Sequence, residues 1–195
     1  AQLMQGAVPE GDGAMAAILG LDDEAVIAAC ESASASGIVE AVNFNSPGQG
    51  VVAGERLAVE KLTELAKEAG ARRAMVLPVS VPAHSSLMRP AGETLAASIE
   101  ETAFAEPEVT VISSVDGTPY KDASDVRERI KAQVYSPVRW VDTIGYISAN
   151  DITSIIESGP GKVLTGLLRR IDRSLDAVCL DTPESIRSVT RGAEK

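Results

Sequence analysis

The chain has 195 residues, enough for one compact domain or for one and a half smaller units. Its 45% hydrophobic and 24% charged residues are those of an ordinary globular protein, while 3% aromatics leave the core to Ala, Val, Ile and Leu and offer few platforms for stacking bases. A formal charge of −10 denies nucleic acid the positive face that phosphate contacts need, and no stretch approaches the roughly eighteen apolar residues that cross a bilayer.

The opening AQLMQGAVPEG has no initiator methionine and lacks the basic-then-apolar order of a signal peptide. It reads as a helix entered in mid-course, so the chain is expected to be part of a longer protein. GAMAAILG (13–20) is a short apolar strand ending at a glycine. Asp22 then reads as an N-cap, with Asp23 and Glu24 suited to the positive start of the helix that continues through AVIAACESA. GIVEAVNFN (37–45) alternates as a strand, with Ile38, Val42 and Phe44 on one face, and Ser46-Pro47-Gly48-Gln49-Gly50 turns it back into VVAG (51–54).

RLAVEKLTELAKEAG is the clearest helix. Ala58, Leu62, Leu65, Ala66 and Ala69 form its apolar stripe and Gly70 stops it. ARRAMVLPVSV (71–81) supplies a fourth strand, so the order is β-α-β-β-α-β, a ferredoxin-like arrangement.

Beyond it, a helix is expected from about Ser86 to Thr102, then VTVISSV (109–115) as a strand covered on both faces. The helix DASDVRERIKAQVYS ends at Pro137, and a short helix spans Val141–Ser148. ITSIIES (152–158), the turn Gly159-Pro160-Gly161, the helix KVLTGLLRRID and the strand DAVCLD follow, with TRGAEK as a polar tail. Helices alternating with apolar strands imply a parallel α/β sheet. Three strands are too few for a doubly wound core, so further strands are expected from outside the chain.

Chemistry-bearing residues are few. Cys30 and Cys179 lie far apart in apolar surroundings and read as small buried hydrophobes, not as a disulfide or metal ligands. His84, the single histidine, follows an apolar strand behind Pro82. A lone histidine is more often structural than catalytic, yet strand-to-helix junctions of α/β sheets are where reacting groups collect. Ser85 and Ser86 read as caps of the following helix. No GxSxG elbow is present, and Gly159-Pro160-Gly161-Lys162 is too short for a phosphate loop, although the helix start behind it could attract an anion. Asn43, Asn45 and Gln49 form either a plain hairpin turn or a set of hydrogen-bonding groups facing a cleft. The doublets Arg72-Arg73 and Arg169-Arg170 stand out on an acidic chain and, if they met, would make a basic patch for an acidic partner.

In order and spacing, MQGAVPEGDGAMAAILGL, AVNFNSPGQGVVAG, LPVSVPAHSSLM, VYSPVRW and SGPGKVLTGL resemble segments of the stand-alone bacterial malonyl-CoA:acyl carrier protein transacylases, from Ala1 to about Cys179. The resemblance implies an α/β fold in which a ferredoxin-like small subdomain (11–81) is followed by the C-terminal part of an α/β-hydrolase-like acyltransferase domain (82–195), with 1–10 ending a helix of that larger part. It implies covalent ping-pong chemistry through a GHSxG serine, with a histidine as general base. That histidine falls on His84, and the backbone carbonyl that orients it falls on Gln133. Asn43 and Asn45 map to the substrate cleft, and Arg72 and Arg169 are the candidates for docking the carrier.

The serine elbow, the oxyanion-hole loop and the arginine that pairs with the malonyl carboxylate are expected upstream of Ala1. Ala83 stands where relatives often carry Ser or Phe beside the acyl α-carbon, which leaves acyl preference open. Malonyl-CoA and acyl carrier protein are the implied partners, with no cofactor, no metal, no nucleic acid and no membrane. The full-length protein is expected to be a cytoplasmic monomer. The competing readings are an acyltransferase domain of a polyketide synthase, a non-catalytic ferredoxin-like ligand-binding module, and a piece that serves only for carrier docking.

Overall fold

The computed structural model describes residues 2–79 and 81–192, and the chain divides into two compact units, 1–143 and 144–195. The division expected at residue 82 falls inside the first unit. That unit opens with the short helix α1 (Gln2–Ala7), followed by β1 (Gly13–Leu19), α2 (Asp23–Ala33), β2 (Val39–Ser46), β3 (Gln49–Glu55), α3 (Arg56–Glu68) and β4 (Arg73–Val76). β1 pairs antiparallel with β3 and with β4, and β2 antiparallel with β3, giving the order β4-β1-β3-β2. This is the ferredoxin-like sheet that the order of elements implied.

Local chemistry accounts for each piece. The Asp22 carboxylate accepts the Ala25 N–H at 2.8 Å and caps α2. Gly48, at φ 70°, makes the hairpin turn that a side-chain-bearing residue would strain, and its carbonyl accepts the Gly20 N–H at 2.8 Å. α3 buries Ala58, Val59, Leu62, Thr63 and Ala66 against Ala14, Ala16 and Ile18, the two alanines leaving room for the helix beside the bulkier Ile18. Ala69 is exposed at the end of the helix, so the buried stripe turns towards Val59 and Thr63 instead.

Two expectations in this region need correction. β2 does not alternate cleanly: register shifts between Ala41 and Asn43 and between Phe44 and Ser46 mark bulges, and Ile38 lies outside the strand, 42% exposed. β4 spans four residues where eleven were expected. Leu77 still donates to the Met15 carbonyl at 2.8 Å, but Pro78 has no N–H with which to extend the ladder. Ser80, part of the expected strand, lies outside the described residues.

A 3₁₀ turn (Ser86–Met88) leads into α4 (Arg89–Glu101), and an irregular stretch precedes α5 (Ala123–Gln133). β5 (Val138–Arg139) then pairs parallel with Asn43 and Phe44 of β2, as the fifth strand of the sheet. The strand expected at 109–115 is absent. Val109 is 72% exposed, and this segment makes one isolated bridge, Ile112 to Pro119. Its backbone is satisfied within a turn, Ser113 donating to Thr118 and Tyr120 to Val111, while Arg129 ties Asp116 and Thr118 to α5. An apolar run alone does not make a strand without a ladder to join.

The boundary between the units falls within α6 (Trp140–Ala149). In the second unit β6 (Ser154–Ser158), α7 (Val163–Ile171) and β7 (Asp176–Leu180) form a parallel β-α-β with Ser154 opposite Asp176, as expected. α8 (Pro183–Gly192) was not foreseen. Its first turn is closed by Thr182, whose hydroxyl accepts the Ser185 N–H at 3.2 Å, with Pro183 at the first helical position. Of the expected tail, residues 193–195 lie outside the described residues.

Candidate active site

The site is built on the loop between β4 and α4. His84 sits there at φ 67°, a left-handed conformation that residues with a side chain seldom adopt. Two bonds from the end of α5 hold it. The His84 N–H donates to the Val134 carbonyl at 3.2 Å, and Nδ1 lies 2.9 Å from the Gln133 carbonyl. A carbonyl can only accept, so Nδ1 carries the proton and, in the neutral ring, Nε2 carries the lone pair. The Gln133 carbonyl is available because the last carbonyls of a helix have no partner within it. A half-buried histidine with a fixed tautomer and a basic Nε2 can take a proton from a hydroxyl or thiol placed against it.

The neighbouring serines play a different part from the one expected. Ser85 is fully buried and its hydroxyl donates to the Pro82 carbonyl at 2.7 Å, so it caps nothing and is not a free nucleophile. The Ser86 N–H at the head of the 3₁₀ turn is taken by Glu40 of β2, with Oε2 at 2.6 Å. Glu40 was missed in the sequence. The one clue is its phase: in the sequence it falls in step with Ile38, Val42 and Phe44, a carboxylate in an apolar series.

β2 thus touches the His84 loop through Glu40 and pairs, through Asn43 and Phe44, with the strand that follows α5. Asn43 and Asn45 are half-buried; Asn43 lies between the two bulges and Asn45 within the second, a device that re-aims side chains beside sites. Gln49 opens β3 opposite Leu19 and Ser46. A cavity of about 460 Å³ opens beside Ala83, lined also by Met4, Gln5, Met15, Pro78, Val79 and Val81. Arg72 is exposed just before β4 in the first unit, and Arg169 is exposed in the last turn of α7 in the second.

Other candidates drop out. The start of α7 cannot serve as an anion site, because the Glu157 carboxylate already occupies it. That carboxylate accepts from the Thr165 hydroxyl, from the Thr165 N–H at 2.7 Å and from the Leu164 N–H at 3.0 Å. These bonds, those of Thr165 foremost, hold the Glu157 carboxyl below its ordinary range. Both cysteines are free, as expected, but only Cys30 is buried; Cys179 is half-exposed and donates to the Gly161 carbonyl. Burial, then the charges of Glu40 and Glu31, push the Cys30 thiol up to about 12, and burial also raises Cys179. Neither is a ready thiolate. Among the described residues no cluster of His, Cys, Asp and Glu could hold a metal, and no helix is long and apolar enough to cross a membrane.

Comparison with known proteins shows the family. The profile of the acyl transferase domain matches residues 1–183. The chain belongs to the acyl transferase domain family. This acyl transferase chain is 47% identical over 188 residues to the malonyl CoA-acyl carrier protein transacylase of Haemophilus influenzae, covering 96% of the chain and 60% of that protein. With the Escherichia coli K12 protein of the same name it shares 46% over 185 residues, covering 95% and 60%. The chain therefore spans about 60% of the length of these curated relatives.

Solved structures agree. The acyl carrier protein S-malonyltransferase of Vibrio cholerae superposes with a TM-score of 0.94 at 48% identity, covering 96% of this chain and 61% of that one. A malonyl-transacylase solved in complex with a type II polyketide acyl carrier protein superposes with a TM-score of 0.96 at 43% identity, covering 98% and 62%.

Proposed function

We propose that the protein carrying this chain moves a malonyl group from coenzyme A to the phosphopantetheine thiol of an acyl carrier protein, through an acyl-serine, and that this chain supplies its general base. The observation that supports the reading most is the His84 imidazole, with Nδ1–H held 2.9 Å from the Gln133 carbonyl and Nε2 left to act. A serine from the part of the protein outside these 195 residues gives its proton to Nε2 and attacks the thioester. The proton then passes to the departing coenzyme A sulfur. In the second half-reaction Nε2 takes the proton of the carrier thiol, the thiol attacks the acyl-serine, and the proton returns to the serine. A backbone carbonyl fixes the tautomer here, the task a carboxylate performs in a Ser-His-Asp triad.

In this reading Asn43 and Asn45 offer hydrogen bonds along the substrate cleft, and the cavity beside Ala83 takes the acyl group. Arg72 and Arg169 meet the acidic carrier, no cofactor is required, and the enzyme works in the cytoplasm. The test is to incubate the full-length protein with labelled malonyl-CoA and recover an acid-stable protein ester that passes its label to a carrier protein. No ester, with the protein folded, refutes acyl transfer and favours a non-catalytic module. Reversing the charges of Arg72 and Arg169 is expected to weaken turnover of the carrier while leaving hydrolysis of malonyl-CoA unchanged. An equal loss in both reactions contradicts docking through these arginines.

A further inference from the structure

The loop that carries His84 is tied to the end of α5 by two bonds and to itself by three more, from the Ser85 hydroxyl and the Ser85 N–H to the Pro82 carbonyl and from the Ala83 N–H to the Val81 carbonyl. None of these fixes it relative to the sheet. At its start the loop keeps a bond to the sheet, Leu77 N–H to the Met15 carbonyl at 2.8 Å; beyond His84 the bond that reaches the sheet is Glu40 Oε2 to the Ser86 N–H, at 2.6 Å across 46 residues of sequence. Glu40 stands on β2, three positions before Asn43, where β2 takes up its pairing with Val138 of β5.

We propose that Glu40 is a positioning residue for the general base: it anchors the left-handed His84 turn to the ferredoxin-like sheet, so that Nε2 keeps its place when substrate and carrier bind. The inference rests on the acyl-transfer reading of His84. Two features of the structure carry it. A residue at φ 67° stays there only where its surroundings over-determine it, and the Ser86 amide is the first backbone donor after that turn to find a partner on another element. Moreover, a charged acceptor on a backbone N–H is stronger and shorter than a neutral one, which suits an anchor. Glu40 also lines a cavity of about 380 Å³ with Cys30, Phe44, Pro137 and Arg139, so truncating it leaves space into which the loop can relax.

The test uses the full-length protein in three forms: wild type, Glu40→Ala and Glu40→Gln. Glutamine keeps an oxygen acceptor at the same reach, whereas alanine removes it. Displacements of about 1 Å can cost a hundredfold, so Glu40→Ala is expected to lower kcat for malonyl transfer by about ten- to a hundredfold. The KM for malonyl-CoA stays within about twofold, and Glu40→Gln recovers kcat to within about threefold of wild type. The ¹⁵N signals of the His84 imidazole, assigned by their loss in His84→Ala, are expected to move from the Nδ1–H tautomer towards a tautomer average in Glu40→Ala and to return in Glu40→Gln. Wild-type kcat and tautomer in Glu40→Ala would overturn the inference, as would a glutamine variant no better than alanine. The tautomer readout does not depend on acyl transfer. If the wild type takes no label, the function is refuted, and the imidazole signals alone decide whether Glu40 positions His84.

Discussion

Gly92 offers a way to move the histidine's support without touching the histidine. It is buried in α4, where an added Cβ would lie 2.6 Å from Cδ1 and Cε1 of Tyr135 and 3.2 Å from the Lys131 carbonyl. Carbon atoms settle at about 3.5–4.0 Å, so in Gly92→Ala α4 and the end of α5 must part by about 1 Å. Overpacking of this kind costs about 1–3 kcal/mol, against which alanine regains about 1 kcal/mol of helix propensity. The net loss is therefore at most about 2 kcal/mol, which lowers the melting temperature by several degrees without unfolding the protein.

The effect on catalysis is larger. Gln133 lies between Lys131 and Tyr135, and a drift of about 1 Å takes its carbonyl beyond hydrogen-bond reach of Nδ1. Acyl-ester formation is expected to fall by about ten- to a hundredfold, measured by quenched-flow labelling beside a thermal melt. Removing the obstructing ring in Gly92→Ala/Tyr135→Ala is expected to recover most of the rate, although the stacking of Arg89 on Tyr135, 4.6 Å from its centroid, is lost. A Gly92→Ala protein with wild-type rate and wild-type His84 signals would refute the chain of contacts from α4 through α5 to the imidazole.

Two further outcomes follow from the same geometry. Gln133→Ala is expected to leave the rate within about twofold, because only its backbone carbonyl meets His84 and its side chain is exposed; a large loss there would contradict the backbone assignment. Glu157→Gln tests the cap of α7. A carboxyl held below its ordinary 4.5 in the folded state adds stability that is present above the unfolded value and lost as pH falls through the folded one. The gap in melting temperature between wild type and Glu157→Gln is thus greatest near neutrality and closes below about pH 4.5. A gap that stays constant down to pH 3 contradicts it.

The parts of the fold legible in the sequence are those whose signal is local. The stripe of α3, the Asp22 cap and the hairpin at Gly48 each lie within a few residues, and together they dictated the ferredoxin-like order. His84 was legible as the single histidine after an apolar strand. Gln133 emerged only from the family resemblance, since a backbone acceptor leaves no side-chain signature. Long-range pairings stayed hidden: Glu40 meets Ser86 across 46 residues, and nothing around either announces the other. The run at 109–115 misled because apolar composition records burial demand and not the presence of a neighbouring strand. For α8 the Thr182-Pro183 start was present in the sequence, but the short amphipathic segment between the strand DAVCLD and the tail TRGAEK was assigned no element.

The most direct test of the central claim is the rate of malonyl-ester formation in the full-length protein, wild type against His84→Ala, at a pH where the imidazole is neutral. General base catalysis contributes about 10²–10⁴-fold, so a loss of that size with an unchanged melting temperature is predicted. A His84→Ala protein that forms the ester at the wild-type rate would contradict the account.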